Sequence, residues 1–222
     1  LFHSQGAMLY KSNRTLGLVE FRGVDANGTW SFIAYNTTRL SILLFNPYTK
    51  AMELTNLTIP DNFNITSITK YNNDTYIVVG DKIFSLASIN MTNVTMLSCA
   101  KIVPKGIIIG NIDDFEGEEI IAFTSKELRV YRIKGEELVM IWRQESHGDI
   151  KSVDVGDIDG DGIDDIVVVR SNGIFTFFYN EDEWLYYEVT YDYPLDLKPI
   201  HGALLCTDID GDGLDEIYID NG

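Results

Sequence analysis

The sequence predicts an all-β protein, and among all-β folds it favours a β-propeller of four-stranded antiparallel blades. Three observations predict this fold class. An acidic motif recurs at a regular distance, each copy is followed by two apolar runs of strand length, and no segment shows convincing helical periodicity. Repeats of about 40 to 50 residues with several short strands are typical of propeller blades, whereas β-solenoids have shorter periods.

The acidic motif is complete in two places and eroded in a third. The complete copies are DIDGDGIDDI, which starts at Asp157, and DIDGDGLDEI, which starts at Asp208; the eroded copy, NIDDFEGEEI, starts at Asn111. Their first residues are 46 and 51 positions apart. We expect each unit to open with a β-hairpin, and Asn172-Gly173 indicates one tight turn. Similar apolar runs continue upstream without the acids, and the equivalent positions are Ile33, Ile77, Ile121, Val167 and Tyr218.

The repeat spacing predicts a single propeller of five blades over residues 1–222. The last unit ends soon after its first strand, and an unpaired sheet edge is prone to association. We therefore expect the segment 1–10 to supply the missing strands of that blade. The alternative is that the chain is a piece of a longer, seven-bladed propeller. The expected blades lie near residues 11–55, 56–100, 101–146, 147–197, and 198–222 plus 1–10.

The net charge of −17 is concentrated in the second half of the chain. Residues 1–100 hold seven Lys or Arg and six Asp or Glu, whereas residues 101–222 hold ten and twenty-eight. Nucleic acids and anionic membranes need a basic surface, so both are excluded as partners, and no apolar run is long enough to cross a bilayer. Cations are the partners that this charge favours.

The complete motifs have the residue types of a loop that holds a hard cation. Acids occupy positions 1, 3, 5 and 9, and glycines at positions 4 and 6 allow a tight backbone path. Four carboxylates in one loop repel one another unless a cation lies among them, and so many oxygen ligands select calcium. The expected ligands are Asp157, Asp159, Asp161, the Ile163 carbonyl and Asp165 in one loop, and Asp208, Asp210, Asp212, the Leu214 carbonyl and Glu216 in the other.

The complete motifs are not EF-hands, although an EF-hand begins with the same residues. An EF-hand needs a carboxylate at position 12, where this chain has Val168 or Ile219, and it needs flanking helices. Asp164, at position 8, is expected to point outward. The alternative to a calcium site is an acidic turn that binds no metal, because Asp-Gly is common in turns.

The eroded motif keeps only part of this ligand set. Asn111, Asp113 and Glu119 would be its calcium ligands, but Phe115 replaces the acid at position 5. We therefore do not expect a third calcium ion there.

The two complete loops resemble those of the FG-GAP repeat family, also called VCBS repeats, which is found in the integrin α-subunit head and in many secreted microbial proteins. The resemblance rests on GDIDGDGIDDI from Gly156, on TDIDGDGLDEI from Thr207, and on the repeat spacing over about residues 105–222. It implies a propeller with calcium between the strands of a blade and a role in adhesion or recognition. The early units lack the acids, so the resemblance does not imply calcium in every blade.

Glycosylation sequons are concentrated in the first half of the chain. Eight N-x-T triplets occur, and none follows Thr95. They predict a secreted or cell-surface protein with a glycosylated face, although a Thr-rich β sequence with Asn in its turns would look similar. Cys99 and Cys206 fit either a disulfide or two buried free thiols. The sequons begin at Asn13, Asn27, Asn36, Asn56, Asn64, Asn73, Asn90 and Asn93.

Little in the sequence indicates catalysis. The HExxH, GxSxG and phosphate-loop motifs are absent, and His147-Gly148-Asp149 is better explained as a turn than as a general base with its orienting acid. A secreted carbohydrate-active enzyme on a calcium propeller is one alternative, because a propeller pore can gather acids from several blades. The aromatic residues around Phe175–Tyr179 and Trp184–Tyr187 fit core packing or a carbohydrate or protein contact.

The sequence therefore favours a calcium-stabilised extracellular module for adhesion, recognition or surface assembly. Its expected partners are calcium and a protein or glycan at the cell surface. A second hypothesis is a subunit of a surface filament or lattice, in which the segment 1–10 completes the last blade of a neighbouring copy by strand exchange.

Overall fold

The computed structural model describes residues 17–24, 29–36, 38–46, 48–57, 64–72, 75–81, 84–89, 94–170, 173–180, 183–189 and 204–219. Within these residues every helix or strand assigned is a β-strand, which confirms the all-β prediction. No helix in this part of the chain is long and apolar enough to cross a membrane. The chain divides into two compact units, Leu1–Ile102 and Val103–Gly222.

The first unit contains two four-stranded antiparallel sheets, each with its strands in chain order. One sheet consists of β1 (Gly17–Val24), β2 (Trp30–Asn36), β3 (Arg39–Asn46) and β4 (Ala51–Leu57). The other consists of β5 (Ile65–Asn72), β6 (Thr75–Gly80), β7 (Phe84–Ile89) and β8 (Val94–Ala100). Both sheets contribute to one apolar core, which includes Ile33, Ile42, Ile65 and Tyr76.

The second unit contains two sheets of the same kind and a shorter third sheet. The four-stranded sheets are formed by β9 (Gly106–Gly110), β10 (Glu119–Phe123), β11 (Glu127–Lys134) and β12 (Glu137–Glu145), and by β13 (Ile150–Gly156), β14 (Asp165–Arg170), β15 (Gly173–Asn180) and β16 (Glu183–Val189). The third sheet has two described strands, β17 (Leu204–Thr207) and β18 (Glu216–Ile219). The predicted four-stranded antiparallel sheets are thus confirmed in four cases.

The hairpins that the sequence reveals are the middle two strands of each four-stranded sheet. The expectation that each unit opens with a hairpin is wrong, because a further strand precedes every one of them: β1, β5, β9 and β13. These first strands are hard to detect from the sequence because they are short or mix polar with apolar residues, as in ITSITKYN of β5 and IKSVDVG of β13. The acidic loops therefore connect the first and second strands of a sheet.

Each four-stranded sheet buries the centre of its second strand. Ile33, Ile77, Ile121 and Val167 are all 0% exposed, and burial of such a side chain stabilises the fold by about 1.5 to 3 kcal/mol. Each pairs with the third strand in the same register, as Ile33 does with Ile42 and Val167 with Thr176. Tyr218 lies on β18, also a second strand, but it is 41% exposed, and its sheet has two strands among the described residues.

The aromatic strand β15 supports core packing over ligand contact where its side chains are described. Phe175 and Phe177 are buried in the core that β10, β11, β13 and β14 share, and Trp142 packs edge-on against Phe177 at 5.2 Å between ring centroids. The side chains of Trp184–Tyr187 and the segment 1–10 lie outside the described residues. The count of five blades and their closure by the N-terminal segment therefore stay predictions.

Candidate metal centre

The first complete loop, residues 157–165, connects β13 to β14 with a backbone path that glycine permits. Gly160 and Gly162 have φ of 80° and 87°, which is left-handed backbone that favours residues without a Cβ. The second complete loop, residues 208–216, connects β17 to β18 in the same way, with φ of 81° at Gly211 and 95° at Gly213. The shared sequence pattern thus produces the same turn twice.

Carboxylates converge in both complete loops. Asp157, Asp159 and Asp165 each offer one oxygen, and these three oxygens lie within 4.8 Å of one another. In the second loop the three residues that converge in this way are Asp208, Asp210 and Asp212. The structure therefore gathers six of the eight predicted acidic ligands into two clusters.

The two predicted ligands outside the clusters hold the loop backbone. Asp161 Oδ1 accepts a hydrogen bond from the Ile163 amide at 2.8 Å. Glu216 Oε2 accepts one from the Ile209 amide at 3.0 Å, as Asp165 Oδ2 does from Ile158 in the first loop, also at 3.0 Å. Each carboxylate oxygen has two lone pairs, so a single amide leaves capacity for a cation.

The remaining loop hydrogen bonds repeat from one complete loop to the other. The carboxylate at position 1 accepts the amides of positions 4 and 6, at 2.8 and 3.0 Å in the first loop and 2.6 and 3.1 Å in the second. The carboxylate at position 3 accepts the amide of position 5, at 3.2 and 3.1 Å. These bonds fix the carboxylates around one point.

Burial and like charge make Asp165 the most perturbed group of the first loop. It is 3% exposed, and burial together with the charges of Asp159, Asp161 and Asp157 raises its pKa to about 7, against the hydrogen bond from Ile158. A bound cation would offset both effects, because it favours the ionised carboxylate.

The acid at position 8 joins each complete loop to the loop before it, and Asp164, which was expected to point outward from the cage, lies outside the carboxylate cluster with its side chain on the preceding loop. Asp164 Oδ2 accepts the Asn111 amide at 3.0 Å, and the Asp164 amide donates to the Asn111 carbonyl at 2.8 Å. Asp215 makes the same pair with Asp157, at 2.9 and 2.8 Å. We call this reciprocal pair of hydrogen bonds the position-8 clasp.

A glycine precedes position 1 wherever a clasp is formed. A Cβ added at Gly156 would lie 2.5 Å from Asp215 Oδ2, and one at Gly110 would lie 3.1 Å from Asp164 Oδ2. Burial raises the pKa of the Asp164 carboxyl above its usual range, with the nearby charges of Asp215 and Asp157 adding to the effect and the hydrogen bond from Asn111 opposing it. The clasp carboxylate thus occupies the space of a Cβ at Gly156 and crowds that space at Gly110.

The eroded loop, residues 111–119, is bound by an arginine of a neighbouring strand that the sequence analysis missed. Arg132 lies on β11, and its Nη2 forms an ion pair with Asp113 Oδ2 while its Nε lies 3.1 Å from Glu119 Oε1. Its guanidinium carbon lies 4.1 Å from the centroid of the Phe115 ring. The acids at positions 3 and 9 are thus neutralised by a side chain of the same sheet.

The ion pairs of Arg132 are buried. The side chains of Asp113 and Glu119 are 1% and 0% exposed, and that of Arg132 is 15% exposed. Burial raises the pKa of Glu119, and the hydrogen bond from Arg132 opposes that rise. Burial also works against the charge of Arg132, but hydrogen bonding to Glu119 and the charge of Asp113 outweigh it and raise the arginine pKa.

The predicted glycosylation sites lie partly within the described residues. Asn56 is exposed on β4, and its Oδ1 accepts the Ser41 hydroxyl at 3.0 Å. Asn64 is exposed, and its Nδ2 donates to Asp81 at 2.9 Å. Asn36 ends β2. The other five sites lie outside the described residues, namely Asn13, Asn27, Asn73, Asn90 and Asn93.

Two further predicted features are placed by the structure. Cys99 and Cys206 are both free thiols, which favours the alternative without a disulfide. Of the two, Cys206 is buried and Cys99 is exposed. His147 is exposed in a bend, and Asp149 forms an ion pair with Lys126 at 2.6 Å. The segment His147-Gly148-Asp149 therefore forms a turn.

Comparison with known proteins supports the fold alone. No protein-family model matches the chain, and no curated protein matches it significantly in sequence. The WD40 domain of SCAP from fission yeast is similar in structure, with a TM-score of 0.50 and 10% sequence identity over 90% of this chain. The match covers 46% of the SCAP chain, so this chain spans less than half the length of that neighbour. A WD40 domain is a β-propeller, which is consistent with the propeller that the sequence predicts.

Proposed function

We propose that this chain is a calcium-stabilised, extracellular or cell-surface propeller module of the FG-GAP type that serves adhesion, recognition or surface assembly and is not catalytic. The observation that carries the proposal is the convergence of three carboxylate oxygens within 4.8 Å in each of two loops with the same hydrogen bonds. A structural cation explains why so much like charge is gathered beside a buried strand.

The donor set fits calcium better than other ions. Every candidate ligand is oxygen, and no described histidine or cysteine belongs to either cluster. Hard oxygen ligands in this number select calcium, whereas zinc and copper favour nitrogen and sulfur. In the first loop the ion would be held by Asp157, Asp159, Asp161, Asp165 and the Ile163 carbonyl, and in the second by Asp208, Asp210, Asp212, Glu216 and the Leu214 carbonyl. A bound ion would neutralise the negative charge of these carboxylates.

The extracellular assignment rests on the sequons and on the affinity expected of the proposed calcium sites. Asn56 and Asn64 are exposed, as an attached glycan requires. Extracellular calcium modules work with dissociation constants of about 10⁻⁴ to 10⁻³ M, so even modest sites are filled outside the cell. The sequons are concentrated before residue 96, whereas both acidic loops follow residue 150. Partner contacts are therefore expected on the later, sugar-free sheets.

Thermal unfolding in calcium and in EGTA tests the proposal. At free calcium about 100-fold above the dissociation constant, each site adds roughly 2.7 kcal/mol, which for two sites raises the melting temperature by about 10 to 20 °C. The double variant Asp159→Asn, Asp210→Asn should lose this response. Equal melting temperatures of the wild type in calcium and EGTA would refute calcium stabilisation, and mass spectrometry that finds no sugar on any sequon of the native protein would refute the surface assignment.

A filament or lattice subunit is the second candidate function, and the short third sheet favours it. Among the described residues β18 pairs only with β17, and Leu205 and Tyr218, which pair across these strands, are 53% and 41% exposed. A strand from another copy would cover such an edge. Deletion of residues 1–10 separates the candidates. Strand exchange between copies predicts that polymers disappear, whereas completion of the last blade by the chain's own segment predicts a less stable monomer.

A further inference from the structure

We propose that the guanidinium of Arg132 is the permanent cation of the eroded loop, residues 111–119, and performs there the neutralisation that a metal ion performs in the complete loops. The comparison with calcium rests on the proposed function, but the ion pairs that carry the proposal belong to the chain itself. It follows that the sheet β9–β12 is held together without calcium, and that its loop would bind the ion once residues 111–117 matched a complete loop and Arg132 were replaced.

The contacts of Arg132 match the positions that supply metal ligands. The carboxylates that it binds, those of Asp113 and Glu119, stand at positions 3 and 9, and both are buried. The acids at these positions of the first complete loop, Asp159 and Asp165, belong to the carboxylate cluster. One side chain therefore neutralises two acids that an ion would bridge.

The eroded loop lacks two of the acids that the complete loops have, at positions 1 and 5, and the structure links the change at position 5 to Arg132. Phe115 stands at position 5, where the complete loops have an acid, and its ring lies 4.1 Å below the guanidinium carbon. Phe115 therefore replaces a metal ligand with an aromatic ring, and this ring makes a cation–π contact that favours the arginine over a free ion. Asn111 removes a second charge at position 1, so that a single positive charge faces two acids where calcium would face four.

Strand register shows what stands at the place of Arg132 in the first complete loop. The pairing of Ile120 with Tyr131 places Glu119 opposite Arg132 one step further along the strands. The pairing of Ile166 with Phe177 places Asp165 opposite Phe178 in the same manner. A cationic side chain is therefore present where the ligand set is reduced and absent where it is complete.

The consequence reaches the first complete loop through the clasp. Asn111, at position 1 of the eroded loop, exchanges two hydrogen bonds with Asp164. Arg132 thereby supports one side of the first complete loop in the absence of calcium. The second complete loop is clasped to the first through Asp215 and Asp157.

The first experiment replaces Arg132 with Met and measures thermal unfolding of the full chain in EGTA and in calcium. Two buried acids would lose their partner, a change that costs several kcal/mol, so the melting temperature should fall by roughly 10 °C in both conditions. Arg129→Met is the matched control, because Arg129 lies on the same strand but pairs with Glu127, and it should cost only a few degrees. An Arg132→Met protein that melts with the wild type, or whose loss calcium fully restores, would overturn the proposal.

The second experiment transplants the ligands. Residues 111–117 are replaced with DIDGDGI, the sequence of residues 157–163, once with Arg132 retained and once with Arg132→Phe, the residue that stands at position 178. Native mass spectrometry then counts bound calcium. The graft with Arg132→Phe should hold one ion more than the wild type, whereas the graft with Arg132 should hold the wild-type number. An extra ion in both grafts would show that Arg132 does not exclude calcium and would overturn the proposal.

The two proposals fail in different ways. A wild type that binds no calcium refutes the proposed function, but Arg132→Met still decides whether the arginine holds its loop. A wild type that binds calcium, together with an Arg132→Met variant of unchanged stability, refutes only the inference about Arg132. If neither graft folds, the melting comparison of Arg132→Met with Arg129→Met decides alone.

Discussion

The eroded loop and the first complete loop make the same connection between the first two strands of their sheets, yet their acids have different surroundings. The first complete loop gathers Asp157, Asp159 and Asp165 around one point, and no described Lys or Arg forms an ion pair with them. The eroded loop keeps acids at positions 3 and 9 and adds Arg132 across the strand. Under the proposed function, an ion in the complete loop and a side chain in the eroded loop would provide positive charge at the same positions.

The two regions also differ in what burial does to their acids. In the first complete loop the pKa of Asp165 is raised to about 7 by burial and by neighbouring carboxylates. Around Glu119 burial acts in the same direction, but Arg132 opposes it. The eroded loop therefore carries its own cation, whereas the proposed function makes the first complete loop depend on calcium from solution.

Removal of calcium should have the largest effect on stability and should affect some sheets much more than others. Two filled sites contribute about 5 kcal/mol at calcium 100-fold above the dissociation constant, and this stabilisation should disappear in EGTA. Because Arg132 replaces the ion in the eroded loop, hydrogen exchange should rise in β14 and in β17–β18 and change much less in β10–β11. Uniform protection in both conditions would contradict the comparison.

Asp113→Ala should have the next largest effect, and calcium should not alter it. It breaks one of the two buried ion pairs of Arg132, and because Glu119 and partial exposure still support the arginine, the expected cost is about 3 kcal/mol, the lower limit for such pairs. Chemical denaturation in EGTA and in calcium measures it. Asp114→Asn, at an exposed neighbouring position, is the control and should be nearly neutral. A loss that appears only in calcium would mean that Asp113 is a metal ligand.

Asp159→Asn should show the opposite dependence. It removes one carboxylate of the first complete loop and with it much of one site, so it should cost up to about 2.7 kcal/mol in calcium. In EGTA it should be neutral or slightly stabilising, because it relieves repulsion among Asp157, Asp159 and Asp165. The same denaturation curves test it, and a cost of equal size in EGTA would show that Asp159 acts without the ion.

Gly156→Ala should have the smallest effect of the four and should test the position-8 clasp. The new Cβ would lie 2.5 Å from Asp215 Oδ2 and 2.7 Å from Cys206 Cβ, and overpacking of this kind costs about 1 to 3 kcal/mol. Gly110→Ala is the companion, since its Cβ would meet Val155 Cγ2 at 2.8 Å and Asp164 Oδ2 at 3.1 Å. It should cost less. Unfolding that is unchanged by Gly156→Ala would show that the clasp tolerates a side chain.

The sequence was sufficient to predict the acids of the complete loops and the buried strands behind them. The four acids of each loop lie in one short segment, so the convergence of three of them in each loop depends on local turns that glycine and aspartate encode. The apolar centres of the second strands, such as Ile121 and Val167, are likewise visible because every residue of β10 and β14 is buried.

The sequence was not sufficient for Arg132 or for the clasps, because both join segments that are far apart. Asp164 meets Asn111 across 53 residues, and Arg132 reaches Glu119 only through the register of β10 and β11. Two signals were present. The acid at position 8 recurs in all three loops as Glu118, Asp164 and Asp215, and Glu119 is retained at position 9 although position 5 has lost its acid. A retained acid beside an apolar run requires a partner.

A crystal structure of the full chain grown with calcium tests the central claim most directly, through anomalous difference density for the ion. The account predicts one ion beside Asp159 in the first complete loop, one beside Asp210 in the second, and the Arg132 guanidinium between Asp113 and Glu119. Complete loops without density at saturating calcium, or an ion bound at Asp113 with Arg132 turned away, would contradict it.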